Sequence, residues 1–265
     1  MVTSQVWDRY RRRWSRREFV WTGLGAIAAP MLFGCKNAEP TAPTPAASPR
    51  LTARPGVPSL PAPPGRSALG LASPRDGFMY VPSGYSPDSP APLFVALHGF
   101  GADSNDWSGY IEHAEARGFV LLAPESRSIS WTDADSIGPD VAFIDAALQH
   151  VFDRCRIDPA YIAFAGFSDG ASYAVSLGVS NGDLFTNLLV HSGGFYWPGS
   201  PIVGKPPVYQ SHGTNDQILS MTLARAIEAE LLSEGYDVTF DEFVGGHQLL
   251  PATTQASLDW FLDVG

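Results

Sequence analysis

The stretch that most constrains this chain is Gly166-Phe167-Ser168-Asp169-Gly170. It fits G-x-S-x-G. The apolar run Tyr161-Ile162-Ala163-Phe164-Ala165 precedes it and reads as a buried strand. Ala171-Ser172-Tyr173-Ala174-Val175-Ser176-Leu177 follows and reads as a helix. A chain that passes from strand to helix in five residues turns sharply at the serine. The positions two before and two after must then be small. Glycine stands at both. The pattern alone is common; the strand, the helix and the residues downstream give it weight.

A serine hydroxyl is a poor nucleophile at neutral pH and loses its proton as it attacks. An imidazole titrates near neutrality, so it can take that proton and return it to a leaving group. A carboxylate holds the imidazole tautomer and stabilises the imidazolium. Residues of both types follow in the chain. Pro207–Ser211 reads as a short strand running into His212-Gly213-Thr214-Asn215-Asp216. Asp237–Phe243 alternates polar and apolar, as a strand does, and ends in Val244-Gly245-Gly246-His247. Asp216 and His247 thus sit on loops past strand ends. Open parallel sheets bind ligands beyond the carboxyl ends of their strands, so Ser168, Asp216 and His247 are expected on one edge. Asp241 and Glu242 are rival acids, but both fall inside the predicted strand.

An oxyanion needs donors. One is the backbone N–H after the serine, at Asp169; a second comes from the loop after an early strand. Pro92–Leu97 is that strand, and His98-Gly99-Phe100-Gly101-Ala102-Asp103 follows. The second donor is placed at Phe100, with Gly99 the next candidate.

On these residues the chain resembles a serine esterase of the α/β-hydrolase superfamily. It is similar to the phospholipase/carboxylesterase-like and polyhydroxybutyrate-depolymerase-like groups. The likeness rests on His98–Gly101, Gly166–Gly170, His212–Asp216 and Gly245–His247. It implies carboxylic-ester hydrolysis through an acyl-enzyme, with no cofactor and no metal, on small-molecule or polymeric esters. Phe100 is bulkier than the glycine many such esterases carry there, which would narrow the acyl site. Polyester, feruloyl or acetyl-xylan esters and peptides are alternative substrates on the same scaffold. A non-catalytic surface lipoprotein is the alternative from another class.

The remaining candidates are pocket residues. Trp107, Trp131, His191, Tyr196 and Trp197 fall near predicted strand ends and are candidates to line a substrate pocket; ordinary packing is their other reading. His98 is expected to shape the oxyanion loop and His212 to pack the turn before the acid. His113 and His150 lie in helical patterns.

Strands alternate with helices from about Phe78 to the end, which predicts an α/β fold with a mostly parallel central sheet covered by helices on both faces. A helix is expected over 104–117. No long insertion offers a lid. Pro124–Asp140 and Gly193–Lys205 are the loops expected to shape the pocket.

The first 35 residues read as a targeting segment. Ser15-Arg16-Arg17-Glu18-Phe19-Val20 resembles a twin-arginine export signal. The apolar run Val20–Phe33 is short for a membrane span. Leu32-Phe33-Gly34-Cys35 resembles a lipoprotein cleavage site, so Cys35 is the candidate lipidation position; plain cleavage and secretion is the alternative. Either way the protein is expected to be exported. Ten of the forty residues Lys36–Arg75 are proline, which reads as an extended, disordered spacer. The catalytic domain is expected over 76–265. Cys155, with no partner left, reads as a small buried apolar residue.

Charge separates the leader from the body. The chain carries a formal −10. Residues 1–35 hold six arginines and two acids, leaving −14 on the rest. A body so acidic does not suit nucleic acid, whose binders carry basic patches. Membrane contact is expected only through a lipid at Cys35. No Cys/His metal spacing, phosphate loop or dinucleotide fingerprint is present.

Overall fold

The computed structural model describes residues 49–72, 74–131 and 138–263. The leader, Cys35 and residues 132–137 of the loop expected over Pro124–Asp140 lie outside the described residues.

Eight strands form one sheet in the order β1-β2-β4-β3-β5-β6-β7-β8. They are β1 (Gly65–Ala68), β2 (Gly77–Val81), β3 (Ala91–Leu97), β4 (Val120–Pro124), β5 (Ile157–Phe167), β6 (Asn187–His191), β7 (Val208–Gly213) and β8 (Val238–Phe243). The pairs β1–β2 and β2–β4 are antiparallel. All others are parallel. The main helices are α1 (Tyr110–Arg117), α2 (Pro139–Phe152), α3 (Asp169–Gly178), α4 (Met221–Ser233) and α5 (Pro251–Asp263).

β3, β4 and the Ile162–Phe167 part of β5 are apolar throughout because both faces are covered. Along β3, Leu93, Val95 and Leu97 enter one core and Phe94 and Ala96 the other. Along β5, Ile162 and Phe164 oppose Ala163 and Ala165 in the same way. Helices α2, α3 and α4 fill the first core with Ile144, Tyr173 and Leu231, among others. Helices α1 and α5 fill the second with Ala114, Leu258 and Phe261. The expected two-faced sheet is the one observed.

Two local expectations change. The helix expected over 104–117 breaks at Ser108-Gly109 into a 3-10 turn, Ser104–Trp107, and α1. Asp103 caps the turn by accepting from Asn105 N–H.

The expected spacer also shortens, because the chain joins the fold by Pro49. Leu51 and Ala53 are buried. Arg50 pairs with the Asp183 carboxylate. The backbone N–H groups of Leu51, Thr52 and Ala53 donate to the side chains of Asn181 and Asp145. β1 then adds an edge strand. Proline removes ladder donors, so this composition reads as unstructured. Here the N–H groups of Leu51, Thr52 and Ala53 find acceptors in the Asn181 amide and the Asp145 carboxylate instead of a ladder.

Candidate active site

The sharp turn forms as its glycines require. A methyl on Gly166 would run into the backbone of Gly170, and one on Gly170 into the carbonyl oxygens of Leu97 and His98. Ser168 takes φ 58°, ψ −116°. A non-glycine residue in that region carries strain of about 1–3 kcal/mol. The surroundings hold it there: Ser168 N–H donates to His191 O at 2.9 Å, and Ser168 O accepts from Ser172 N–H at 3.1 Å.

Ser168, Asp216 and His247 meet at the carboxyl edge of the sheet. His247 Nε2 lies 2.8 Å from Ser168 Oγ. His247 Nδ1 lies 2.6 Å from Asp216 Oδ2. An ionised carboxylate only accepts, so Nδ1 carries the proton and Nε2 is left to accept from the serine hydroxyl. The Asp216 side chain is fully buried and that of His247 is 14% exposed. Asp216 Oδ1 accepts from Ile218 N–H (2.8 Å) and Leu219 N–H (2.9 Å). His212 Nε2 lies 3.3 Å from Asp216 Oδ2 and donates to Leu219 O at 2.8 Å. Three donors, His247 Nδ1–H and the Ile218 and Leu219 N–H groups, thus fix the carboxylate.

The two loops that carry this pair are tied together. Thr214 N–H donates to Phe243 O and Asn215 N–H to Gly245 O. A side chain at Gly213 would strike the carbonyl oxygens of Gly245 and Gly246. The rival acids are engaged elsewhere: Asp241 accepts from Tyr209 Oη at 2.8 Å, and Glu242 pairs with Arg225.

The loop after β3 lies against the serine. A Cβ built on Gly99 would sit 3.6 Å from Ser168 Cβ. Gly99 O accepts from Ala102 N–H at 3.2 Å, and Gly101 sits at φ 75°, the value a type II turn needs at its third residue. Phe100 N–H is the second amide of that turn and has no acceptor within it. Asp169 begins α3, whose first N–H groups have no intrahelical acceptor. Its side chain accepts from Trp131 N–H (3.1 Å) and Ser130 Oγ (2.8 Å).

A pocket of about 330 Å³ opens beside this edge. Its walls are His98, Gly99, Asp106, Trp107, Tyr110, Phe167, His247, Gln248 and Leu249. The Phe167 ring packs on His247 with centroids 4.9 Å apart.

Among the pocket candidates, Trp107 lines this space and four others do not. Trp131 is buried, donates Nε1–H to His98 O at 2.8 Å and packs against Tyr173 with the rings tilted, centroids 5.4 Å apart. His191 is fully buried at the end of β6, with Nδ1 2.7 Å from Ser211 Oγ; burial pushes its pKa down to about 4. Tyr196 Oη donates to Glu234 at 2.6 Å, and Trp197 N–H donates to Ser176 Oγ. Trp131 belongs to the first core, Tyr196 and Trp197 pack against that core, and His191 is buried. Among the described residues, the walls of this pocket come from the loop after β3, the 3-10 turn, the start of α1, the end of β5 and residues 247–249, and none comes from the described parts of Pro124–Asp140 and Gly193–Lys205. Tyr110, not among the expected pocket residues, lines the same wall, its ring 4.7 Å from that of Trp107.

Comparisons with known proteins agree with this architecture. Residues 132–263 match the model of a family described as Phospholipase/Carboxylesterase. The chain is 30% identical over 157 residues to feruloyl esterase C of Emericella nidulans, covering 56% of this chain and 57% of that protein. It spans less than two thirds of the length of the first curated relatives it matches. Among solved structures, esterase PE8 is similar at TM-score 0.58 with 20% identity, covering 71% of this chain and 98% of that one. The Bacillus cereus carboxylesterase is similar at TM-score 0.57 with 19% identity, covering 73% and 96%. By sheet order, elbow geometry and these likenesses, the chain has the α/β-hydrolase fold.

Proposed function

We propose that the protein is a serine hydrolase that cleaves carboxylic esters through an acyl-enzyme. The observation that carries this reading is the unbroken hydrogen-bond chain Ser168–His247–Asp216 beside an open pocket. Ser168 Oγ attacks the ester carbonyl carbon while its proton passes to His247 Nε2. The carbonyl oxygen becomes an oxyanion received by the N–H groups of Phe100 and Asp169, with Gly99 N–H the next candidate. The tetrahedral species collapses, and the alcohol leaves with the proton from His247. Water then gives a proton to His247 and attacks the acyl group. Collapse releases the acid and returns the proton to Ser168. Asp216 holds the imidazole and stabilises its cation throughout.

A narrower reading has its own support. Trp107, Tyr110 and Phe167 line the pocket, and the similar Emericella nidulans protein is named a feruloyl esterase. An aromatic group on the ester suits such walls better than a short aliphatic one. The leader belongs to the same account: residues 1–35 direct export, and Cys35 is the position for a lipid anchor. Among the described residues, no helix is long and apolar enough to cross a membrane.

Replacing Ser168 by Ala and following p-nitrophenyl acetate hydrolysis tests the proposal. Turnover is expected to fall to near background, whereas wild-type turnover would reject it. A series of aryl and alkyl esters tests the narrower reading through kcat/KM.

A further inference from the structure

Arg75 lies outside the pocket, in the segment before β2, and its guanidinium reaches the oxyanion loop from behind. Nη2 lies 3.1 Å from His98 Nε2 and donates to Ala102 O at 2.8 Å. Nε donates to Ser126 O at 2.6 Å. One side chain thus touches both ends of the 98–102 loop and the strand end beside it.

The partners of His98 fix its protonation. Ser126 N–H also points at Nε2, from 3.1 Å. A guanidinium and a backbone amide can only donate, so Nε2 is unprotonated. The ring proton is on Nδ1, which donates to Gly99 O at 2.8 Å. Burial, and then the charge of Arg75, hold the imidazole pKa below its ordinary value. The Gly99 carbonyl is therefore pinned toward the His98 ring. In a trans peptide the next N–H points the opposite way. That N–H belongs to Phe100, and Ser168 lies against the same loop, its Cβ 3.6 Å from where a Cβ on Gly99 would sit.

We propose that Arg75 is a positioning residue for the oxyanion hole. Through the His98 tautomer and the Ala102 carbonyl, it fixes the Gly99–Phe100 peptide so that Phe100 N–H faces the reacting carbonyl. This rests on the esterase reading above. Arg75 touches no substrate, so its effect appears in the transition state and not in ground-state binding.

The test compares wild type, Arg75→Gln and Arg75→Lys for p-nitrophenyl ester turnover, inhibition by an aryl boronic acid and melting temperature. The boronate forms a tetrahedral adduct on the serine and reads the oxyanion donors directly. In Arg75→Gln, kcat is expected to fall between about tenfold and a hundredfold with KM little changed. Boronate affinity is expected to fall in parallel. Arg75→Lys keeps the charge but not the fork, and its kcat is expected to lie between the other two. If Arg75→Gln does not fold, the lysine variant decides, since wild-type kcat and boronate affinity there would overturn the proposal. So would a folded glutamine variant with both values unchanged, or one whose loss lies in KM alone. A wild-type protein that neither turns over esters nor binds boronate would sink the esterase reading instead.

Discussion

His247 donates Nδ1–H to the buried Asp216 carboxylate across 2.6 Å, while its other nitrogen lies 2.8 Å from Ser168 Oγ. The carboxylate sets which nitrogen carries the proton. Asp216→Asn replaces an acceptor with a group that can donate, which favours the opposite tautomer. Nε2 would then carry the proton and could no longer take one from Ser168. A fall of about 10⁴-fold in kcat is expected at an unchanged fold, checked by kinetics with circular dichroism. Loss of less than about tenfold would contradict the assigned role.

The elbow glycines are expected to be intolerant of any side chain. Gly170→Ala forces a methyl against the Leu97 and His98 carbonyls, so the turn and the loop after β3 must separate. Destabilisation of at least about 1–3 kcal/mol is expected in urea unfolding, with activity lost in the fraction that folds. Gly84→Ala, where an added Cβ meets nothing within 4 Å, serves as the control.

Buried His191 makes stability depend on pH. Its folded pKa, about 4, lies below that of free imidazole, near 6.5. As pH falls the unfolded chain therefore takes the proton first. Stability is whole above about pH 6.5 and declines toward pH 4, by on the order of 3 kcal/mol at the lower end. His98 and His212, also lowered by burial, act with the same sign. Urea midpoints at pH 7.5 and 4.5 measure the decline, and His191→Asn is expected to reduce it. An identical decline in the variant would contradict the assignment.

Asp106 is the one acidic residue in the pocket wall, and no cation pairs with its side chain among the described residues. An ester bearing a free carboxylate near this wall meets like charge. At water-like screening such a pair costs about 1 kcal/mol at contact. Asp106→Asn is expected to raise kcat/KM about three- to fivefold for carboxylate-bearing esters and leave matched neutral esters alone. The difference should shrink in high salt. Equal effects on both ester types would argue against it.

Much of this arrangement was legible in the sequence, for identifiable reasons. The inner strands of a two-faced parallel sheet carry apolar stretches, so β3 to β6 announce themselves, with β7 read from Val208-Tyr209 and β8 from its alternation. Side chains on loops just past those runs share an edge whatever their rotamers, which is why Ser168, Asp216 and His247 could be placed together from chain order. The pocket wall was less legible. Whether Trp107 or Trp131 faces the opening depends on a single turn of backbone, and the period of neither segment records it. β1 and the stretch from Pro49 were hidden in proline-rich composition, and the partners of that stretch, Asp145, Asn181 and Asp183, lie about ninety or more positions away. Arg75 gave no signal, since its target is a loop reached only after folding.

The central claim is that Ser168 becomes acylated. Mixing the protein with p-nitrophenyl acetate, quenching in acid and sequencing peptides by mass spectrometry tests it most directly. The account predicts a nitrophenol burst near one equivalent and an acetyl group on the peptide carrying Ser168, both absent in His247→Ala. Acetylation elsewhere, or ester turnover with no modified Ser168, would contradict it.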